Sequence, residues 1–344
     1  MIERSSALTV TAAGMVTGLG YTAPATLAAM RAGVSGIRSK TWPDFESGER
    51  VRCARVSLPQ RHGGTALLAD LVTPAIAECF TAAELTDTQR VPLLLGVARP
   101  EQPGRPRDVE QQLLPQIYER LGAVPSRASK IYAGDQAGCA FALLEARRLI
   151  ESGIAEHVMI SGVDTLLDRP TIYAYTAQRR LLTPDNFNGF LPGEAGAAVV
   201  VAAAPGNNGG LRISGVGSAE ESAKITGSKP LRSEGLTHAI RGALGAAGMT
   251  MAEINFRVTD ISGEHYKFKE ALFALVRLDQ TPRETPLDLW HPAEFLGEIR
   301  AAILPCLLAW TWDAFRHAYA PGPNALIHLG SDDGHRFAMV AQAA

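Results

Sequence analysis

The side chains of this 344-residue chain best suited to nucleophilic or metal chemistry are its 4 cysteines and 8 histidines. One cysteine is distinguished by position. In AGDQAGCAFALLEARRLIESG, residues 133 to 153, a turn of small residues runs into a helical pattern, and Cys139 lies near its start. A thiol at a helix N-terminus is acidified by the helix dipole and can act as a nucleophile near neutral pH. Cys53, Cys79 and Cys306 are scattered and no C-x-x-C pair occurs, so neither a zinc site nor a redox dithiol is signalled. The turn GSDDGH could offer Asp332, Asp333 and His335 to a cation, although a solvated polar turn is the simpler reading. No glycine-rich loop has the spacing of a nucleotide site. No cofactor and no metal are therefore expected.

The elements that must position these groups alternate between two patterns. VPLLLGVA and AGAAVVVAAA are unbroken apolar runs, as in strands buried on both faces. EHVMISGVDT, LRISGVGSA and FRVTDISG also read as strands. TAPATLAAMRAGVSGIR reads as a helix capped by Thr22, with Pro24 in its first turn and Gly33 at its end. DVEQQLLPQIYERLG, RSEGLTHAIRGALGAAGM, FKEALFALVRL and PAEFLGEIRAAILPCLLAWTWDAFRHA carry helical spacing. The last includes Trp310 and Trp312 on one apolar helix. NALIHLGSDDGHRFAMVAQ reads as a strand hairpin. This alternation predicts an α/β fold with largely parallel central strands. APGNNGG, from Ala204 to Gly210, divides the chain into an N-terminal half, 1–204, and a C-terminal half, 205–344.

The net charge of -2, without a Lys/Arg cluster, gives no electrostatic support for nucleic acid or an anionic membrane. The opening MIERSSALTVTAAG lacks the pattern of a signal peptide. No uninterrupted apolar run approaches the roughly 20 residues of a membrane span. The nearest, Ala301 to Trp312, is interrupted by Pro305 and reads as a buried helix. The expectation is a cytoplasmic protein with reduced thiols.

GMVTGLGYTAPATLAAMRAGVSGI and LLTPDNFNGFLPGEAGAAVVV resemble the β-ketoacyl synthases, the thiolase-fold condensing enzymes. In the second stretch Pro184, Asp185, Gly189, Phe190, Gly193, Glu194, Ala195 and Gly196 carry the resemblance. LRISGVGSAEESAKIT resembles the strand that opens the family's second half. The resemblance spans most of the chain and is loosest from Arg38 to Ser129. It implies two similar α/β halves, each with a five-stranded sheet, stacked in five layers, and dimerisation through first-half strands.

The family's chemistry uses one cysteine, which takes an acyl group from a carrier, and two histidines that stabilise developing charge. Counting back from Gly153 puts Gln136 in the cysteine's place, with Cys139 three residues further on. Three residues turn a helix by about 300° and raise it by about 4.5 Å, so the Cys139 sulfur cannot substitute without a backbone change. Cys139 then reads as a small buried apolar residue. Ser262-Gly263 stands where the first histidine-glycine pair would, with His265 three residues on. Gly297-Glu298 stands where the second histidine follows glycine; Ala293 takes the place of a lysine, and His291 lies upstream as a turn or cap residue. Asp135 is expected to hydrogen-bond within this pocket, and Glu194 to satisfy buried backbone donors.

The vestigial trio is therefore Gln136, Ser262 and Glu298. Glutamine is no thiolate, serine no imidazole, and a carboxylate repels an enolate. The expectation is a pseudoenzyme that works by protein binding. The stretches MRAGVSGIR and VPLLLGVARPE resemble the ketosynthase-like proteins found beside type VI secretion effectors, which favours an adaptor for a secreted effector. The alternatives are a chain-length-factor-like subunit paired with an active ketosynthase, with an acyl carrier protein as a further partner, and an acyl-transferring enzyme rebuilt around Cys139 with His265 or His291. A homodimer or heterodimer is expected.

Overall fold

Apolar runs too short for helices become the central strands, and the segments between them fold back as helices. The computed structural model describes residues 7–43, 50–204, 210–280, 282–283 and 286–344. In chain order the first half contains β1 (Leu8–Val16), α1 (Ala23–Arg31), β2 (Ile37–Pro43), β3 (Arg50–Ala54), α2 (Gly64–Ala82), β4 (Leu93–Val97), α3 (Val109–Leu121), β5 (Lys130–Ala133), α4 (Gln136–Glu151), β6 (His157–Thr165), α5 (Arg169–Ala177) and β7 (Glu194–Ala203). The second half contains β8 (Leu211–Glu220), α6 (Glu234–Ala247), β9 (Phe256–Thr259), α7 (His265–Leu278), β10 (Asp288–Trp290), α8 (Ala293–Leu296), α9 (Ile303–Arg316), β11 (Asn324–Gly330) and β12 (His335–Ala343). Most of the expected divider, residues 205–209, and the first residues of the N-terminal stretch, 1–6, lie outside the described residues.

The strands repeat one arrangement. Their order is β5-β4-β6-β7-β1 and then β8-β12-β11-β9-β10, a ten-stranded sheet made of two five-stranded halves. β1 and β8 join the halves over three antiparallel pairs, Leu8 with Ile213, Thr9 with Arg212 and Val10 with Leu211. Within each half three strands are parallel, β5-β4-β6 and β10-β9-β11. The other two, β7-β1 and β12-β8, run antiparallel. The expectation of largely parallel strands is thus corrected to a mixed sheet. An apolar run reports burial on both faces and carries no information on strand direction.

Three layers of helices and the two sheet halves stack into five layers. α2 and α3 cover the outer face of the first half, α6 and α7 that of the second, and α4 and α9 pack between the two. This is the thiolase-like architecture. The middle layer is lined by Cys139, Leu143, Leu304, Leu307 and Leu308. α1 begins as expected, with the Thr22 side chain accepting from the Ala25 amide. α2 is the one helix among the described residues long and apolar enough to cross a membrane, at a mean hydropathy of 1.3. Its Leu68, Leu71, Val72 and Ala75 are nevertheless core residues packed in the outer layer.

The long helix expected from Pro292 to Ala318 does not form as one piece. α8 stops at Leu296, and α9 starts only at Ile303. Gly297, at φ 67, turns the chain out of helical geometry, and Arg300 takes φ 38. The Glu298 amide donates to the Leu191 carbonyl at 2.7 Å, and the Gly193 amide to the Glu298 carbonyl at 3.0 Å. Those bonds to the loop before β7 replace the missing helical ones.

Candidate functional site

Several strands end in a charged residue. Arg99 follows β4, Asp135 follows β5, Asp164 lies at the end of β6, Asp260 follows β9 and Asp332 follows β11. In open α/β sheets the C-terminal ends of parallel strands are where ligands bind. Here the charged residues meet one another.

Arg300, delivered by the broken α8–α9 segment, is the hub. It is fully buried. Its Nη1 donates to Asp135 Oδ2 at 3.1 Å and its Nη2 to Asp332 Oδ2 at 3.1 Å. Asp332 also accepts from Arg180 Nη1 at 2.7 Å and Nη2 at 3.2 Å. Arg180 grips both oxygens of Glu264, at 2.7 and 2.8 Å. Both guanidinium groups lie over the Tyr175 ring, at 5.1 Å for Arg300 and 5.5 Å for Arg180. Lys267 Nζ donates to Asp260 Oδ2 at 3.0 Å and approaches Glu298 Oε2 at 3.4 Å. Glu298 Oε1 accepts the Arg300 amide at 3.0 Å. Arg99 borders the network, with its amide on Asp135 Oδ1 at 2.9 Å and its Nε 3.3 Å from Asp135 Oδ2.

Charge state follows from this pairing. Burial works against ionised Asp332, but Arg300 and Arg180 outweigh it and hold the carboxyl well below its ordinary range. Burial likewise opposes ionised Glu298, and Lys267 and Arg300 overcome it, so its pKa is also lowered. Asp135 goes the other way: burial raises its pKa despite Arg300 and Arg99. Asp164 is raised to about 7, first by burial and then by the charge of Asp135. Its Oδ1 accepts from Gln102 Nε2 at 3.1 Å, while its Oδ2 has no hydrogen-bond partner.

Gln136, Ser262 and Glu298 lie around this network. Gln136 opens α4 directly after Asp135, which takes the strained turn geometry φ 50, ψ -131. The Gln136 side chain is buried and its Oε1 has no partner. Ser262 Oγ approaches the Glu298 carboxyl, helping to lower its pKa, without meeting full hydrogen-bond geometry. Arg300 thus links the Gln136 and Glu298 corners, through Asp135 on one side and its own amide on the other.

Cys139 sits elsewhere. It is fully buried in the middle layer, and its thiol donates to the Ser161 carbonyl and the Ala301 carbonyl, both at 3.2 Å. Burial pushes its pKa up to about 12. Gly96 and Gly162 make the room: a Cβ on Gly96 would fall 2.4 Å from the sulfur, and one on Gly162 2.8 Å from it. Neither expected histidine joins it. His265 is exposed at the start of α7, where its amide donates to Asn188 Oδ1 at 2.8 Å. His291 is half-buried, edge-on to Phe268 at 6.1 Å, with its pKa lowered by burial. Ala293 begins α8.

The GSDDGH turn, read from sequence as solvated, is divided, with Asp332 buried. Asp332 faces the arginines, while Asp333 accepts from Ser331 and from the His335 amide at 3.3 Å. No group of three or more His, Cys, Asp or Glu able to hold a metal occurs among the described residues. Glu194 does bind a backbone donor, the Val56 amide at 3.0 Å. It also forms a bidentate pair with Arg61 at 2.8 and 2.7 Å. Trp310 stacks on Trp290 at 5.0 Å, and Arg316 covers Trp312 at 4.4 Å.

Two small cavities border the network. A cavity of about 20 Å³ beside Lys267, Tyr266, His328 and Arg336 has room for one water molecule. One of about 10 Å³ lies against Gln102 and Asp164. His328 is held neutral, its pKa pushed down to about 3 by burial and Arg257.

No family model matches the sequence, and no curated protein matches it. Solved structures do match. A type II polyketide acyl-carrier protein in complex with its ketosynthase bound to the hexaketide aligns at TM-score 0.79 and 15% identity, over 99% of this chain and 100% of that one. The ishigamide ketosynthase/chain length factor aligns at TM-score 0.77 and 16% identity, over 99% of this chain and 100% of that one. A ketosynthase in complex with its chain length factor from Xenorhabdus doucetiae gives 0.74 and 15%, over the full length of both chains. The chain has the ketosynthase fold.

On the ketosynthase fold, the arginine–carboxylate network is the feature that sequence reasoning missed. A search for thiols and imidazoles passes over Arg300, Arg180 and Lys267. The available signal was a charged residue closing an apolar run, as in VPLLLGVAR, HVMISGVD and ALIHLGSDD.

Proposed function

We propose that this ketosynthase-fold chain is non-catalytic and acts by binding another protein. The observation that carries the reading is the position of Arg300. Its buried guanidinium is locked between Asp332 and Asp135, the residue directly before Gln136, so the start of α4 is tied into a buried ion-pair network. Supporting it are the sealed, neutral thiol of Cys139 and the absence of an imidazole among its hydrogen-bond partners. A neutral, enclosed thiol is a poor acyl acceptor. The Glu298 carboxylate would raise the energy of an enolate formed beside it.

The partner we favour is another ketosynthase-fold subunit. Several structural neighbours are ketosynthases in complex with a chain length factor. β5 ends the first sheet half and pairs only with β4 among the described residues, which leaves a strand edge for a second subunit. The other reading, an adaptor for a type VI secretion effector, draws on MRAGVSGIR and VPLLLGVARPE. Co-expression with an active ketosynthase subunit, followed by light scattering, tests the pairing. A stable 1:1 complex that is lost on Ile131→Pro in β5 supports it. No complex, with an effector co-purifying instead, favours the adaptor.

A further inference from the structure

Helix α7 carries apolar residues where a surface helix normally presents polar ones. Leu272 is 54% exposed and Val276 62% exposed, and Phe268, at 41%, continues the same line one turn earlier. Residues spaced by four fall on one stripe of a helix. The opposite side of α7 is already in use, since Lys267, Glu270, Ala271 and Ala274 are buried against the fold. Apart from the His291 ring edge-on to Phe268, the stripe is therefore a second, uncovered face.

A fixed loop extends it. Phe187, 78% exposed, directly follows a turn closed by reciprocal backbone bonds between Thr183 and Asn186, each 3.1 Å. Asn186 Nδ2 donates to the Arg179 and Leu181 carbonyls at 2.8 Å. Asn188 Oδ1 accepts the amide of His265, the first residue of α7. The turn that presents Phe187 is thereby tied to the head of the helix.

The rim of this face is cationic. Lys269 and Arg277 are exposed on α7, and the Arg277 guanidinium holds the Arg232 carbonyl. None of Lys269, Arg277 and Arg232 has a carboxylate partner among the described residues. The neighbouring acids are committed elsewhere, Glu264 to Arg180 and Glu270 to Arg336.

We propose that the α7 stripe, with Phe187 at its head, is a docking face for an amphipathic helix of a partner protein whose apolar ridge is flanked by acidic residues. Apolar side chains spaced at i, i+4 and i+8 match a helix laid along them. The cations beside them, Lys269 over the Phe273 ring and Arg277 on a carbonyl, still lack carboxylate partners among the described residues and would select them. A helical partner fits better than an anionic membrane. The stripe is one side chain wide and about 12 Å long, and the chain as a whole is net negative. The proposal holds whether or not the chain transfers acyl groups or pairs through β5.

The test is photocrosslinking in the cell of origin, with Leu272→p-benzoylphenylalanine and, as a control on a remote exposed site, Arg127→p-benzoylphenylalanine. The expected result is a crosslink at 272 and not at 127. It should map to an acidic, helical segment of one other protein, and its yield should fall about tenfold when Lys269→Glu and Arg277→Glu are added. An unchanged melting temperature of these variants shows that the fold persists. Crosslinking to lipid alone, to a second copy of the chain, to a neutral or basic segment, or to nothing would overturn the proposal.

Discussion

The Arg300 guanidinium lies 3.1 Å from Asp135 and 3.1 Å from Asp332, so one side chain joins a carboxylate after β5 to one after β11. It ties the two sheet halves together at the ends of their parallel strands. Arg300→Met removes the cation that the two carboxylates share, leaving Asp332 to Arg180 and Asp135 to the partly exposed Arg99. The expected loss is about 3–5 kcal/mol, read as a lower urea midpoint. Adding Asp135→Asn should recover part of it, because the more weakly compensated of the two charges goes as well. A loss below about 1 kcal/mol for Arg300→Met would mean that the pairing contributes little.

Asp164 gives the pH dependence a definite sign. Its folded pKa is raised to about 7, above its value of 3.8 without burial. Between those values the folded state holds a proton that the unfolded state has released. Stability contributed by this group therefore falls as pH rises from about 4 to 7. The effect is on the order of a few kcal/mol. Asp332 and Glu298, with lowered pKa, work in the opposite direction at more acid pH, where their protonation destabilises the fold. Asp164→Asn should flatten the stability profile between pH 4 and 7 in chemical denaturation. A slope unchanged by the substitution would contradict this assignment.

Cys139 should be chemically silent in the native protein. Its pKa of about 12 leaves almost no thiolate at pH 8, and its sulfur is fully buried. Iodoacetamide at pH 8 should leave it unmodified for hours and label it rapidly in urea. Rapid native labelling mapped to Cys139 by peptide mass analysis would refute the sealed geometry.

Gly162 tests how tightly the site is closed. A Cβ there would fall 2.1 Å from the Ala301 carbonyl oxygen and 2.8 Å from Cys139 Sγ. Gly162→Ala should cost about 1–3 kcal/mol or more. Cys139→Ala should not rescue it, because the nearer clash is with backbone. Full rescue would show that the sulfur alone sets the packing.

The fold was legible where burial writes itself into composition. VPLLLGVA and AGAAVVVAAA became β4 and β7, and Thr22 with Pro24 marked the start of α1. β5 was missed because KIYA is a four-residue edge strand with little apolar content. α2 was missed in the stretch where the resemblance is loosest, and Pro74 lies inside it. The break between α8 and α9 was hidden because Gly297 and Arg300 sit inside helical spacing, and only contact with the loop before β7 turns them out of it. At the site, counting along the chain singled out Gln136, Ser262 and Glu298 one at a time. The network between them could not, because Arg180, Glu264, Arg300 and Asp332 come from separate parts of the chain and meet only through the fold.

The central claim is that the ketosynthase-fold site of this chain no longer accepts an acyl group. Incubation with an acyl-carrier-protein thioester at pH 7.5, followed by intact mass measurement, tests it most directly. The account predicts an unchanged mass after prolonged exposure. A stoichiometric acyl adduct that disappears in Cys139→Ala would contradict it.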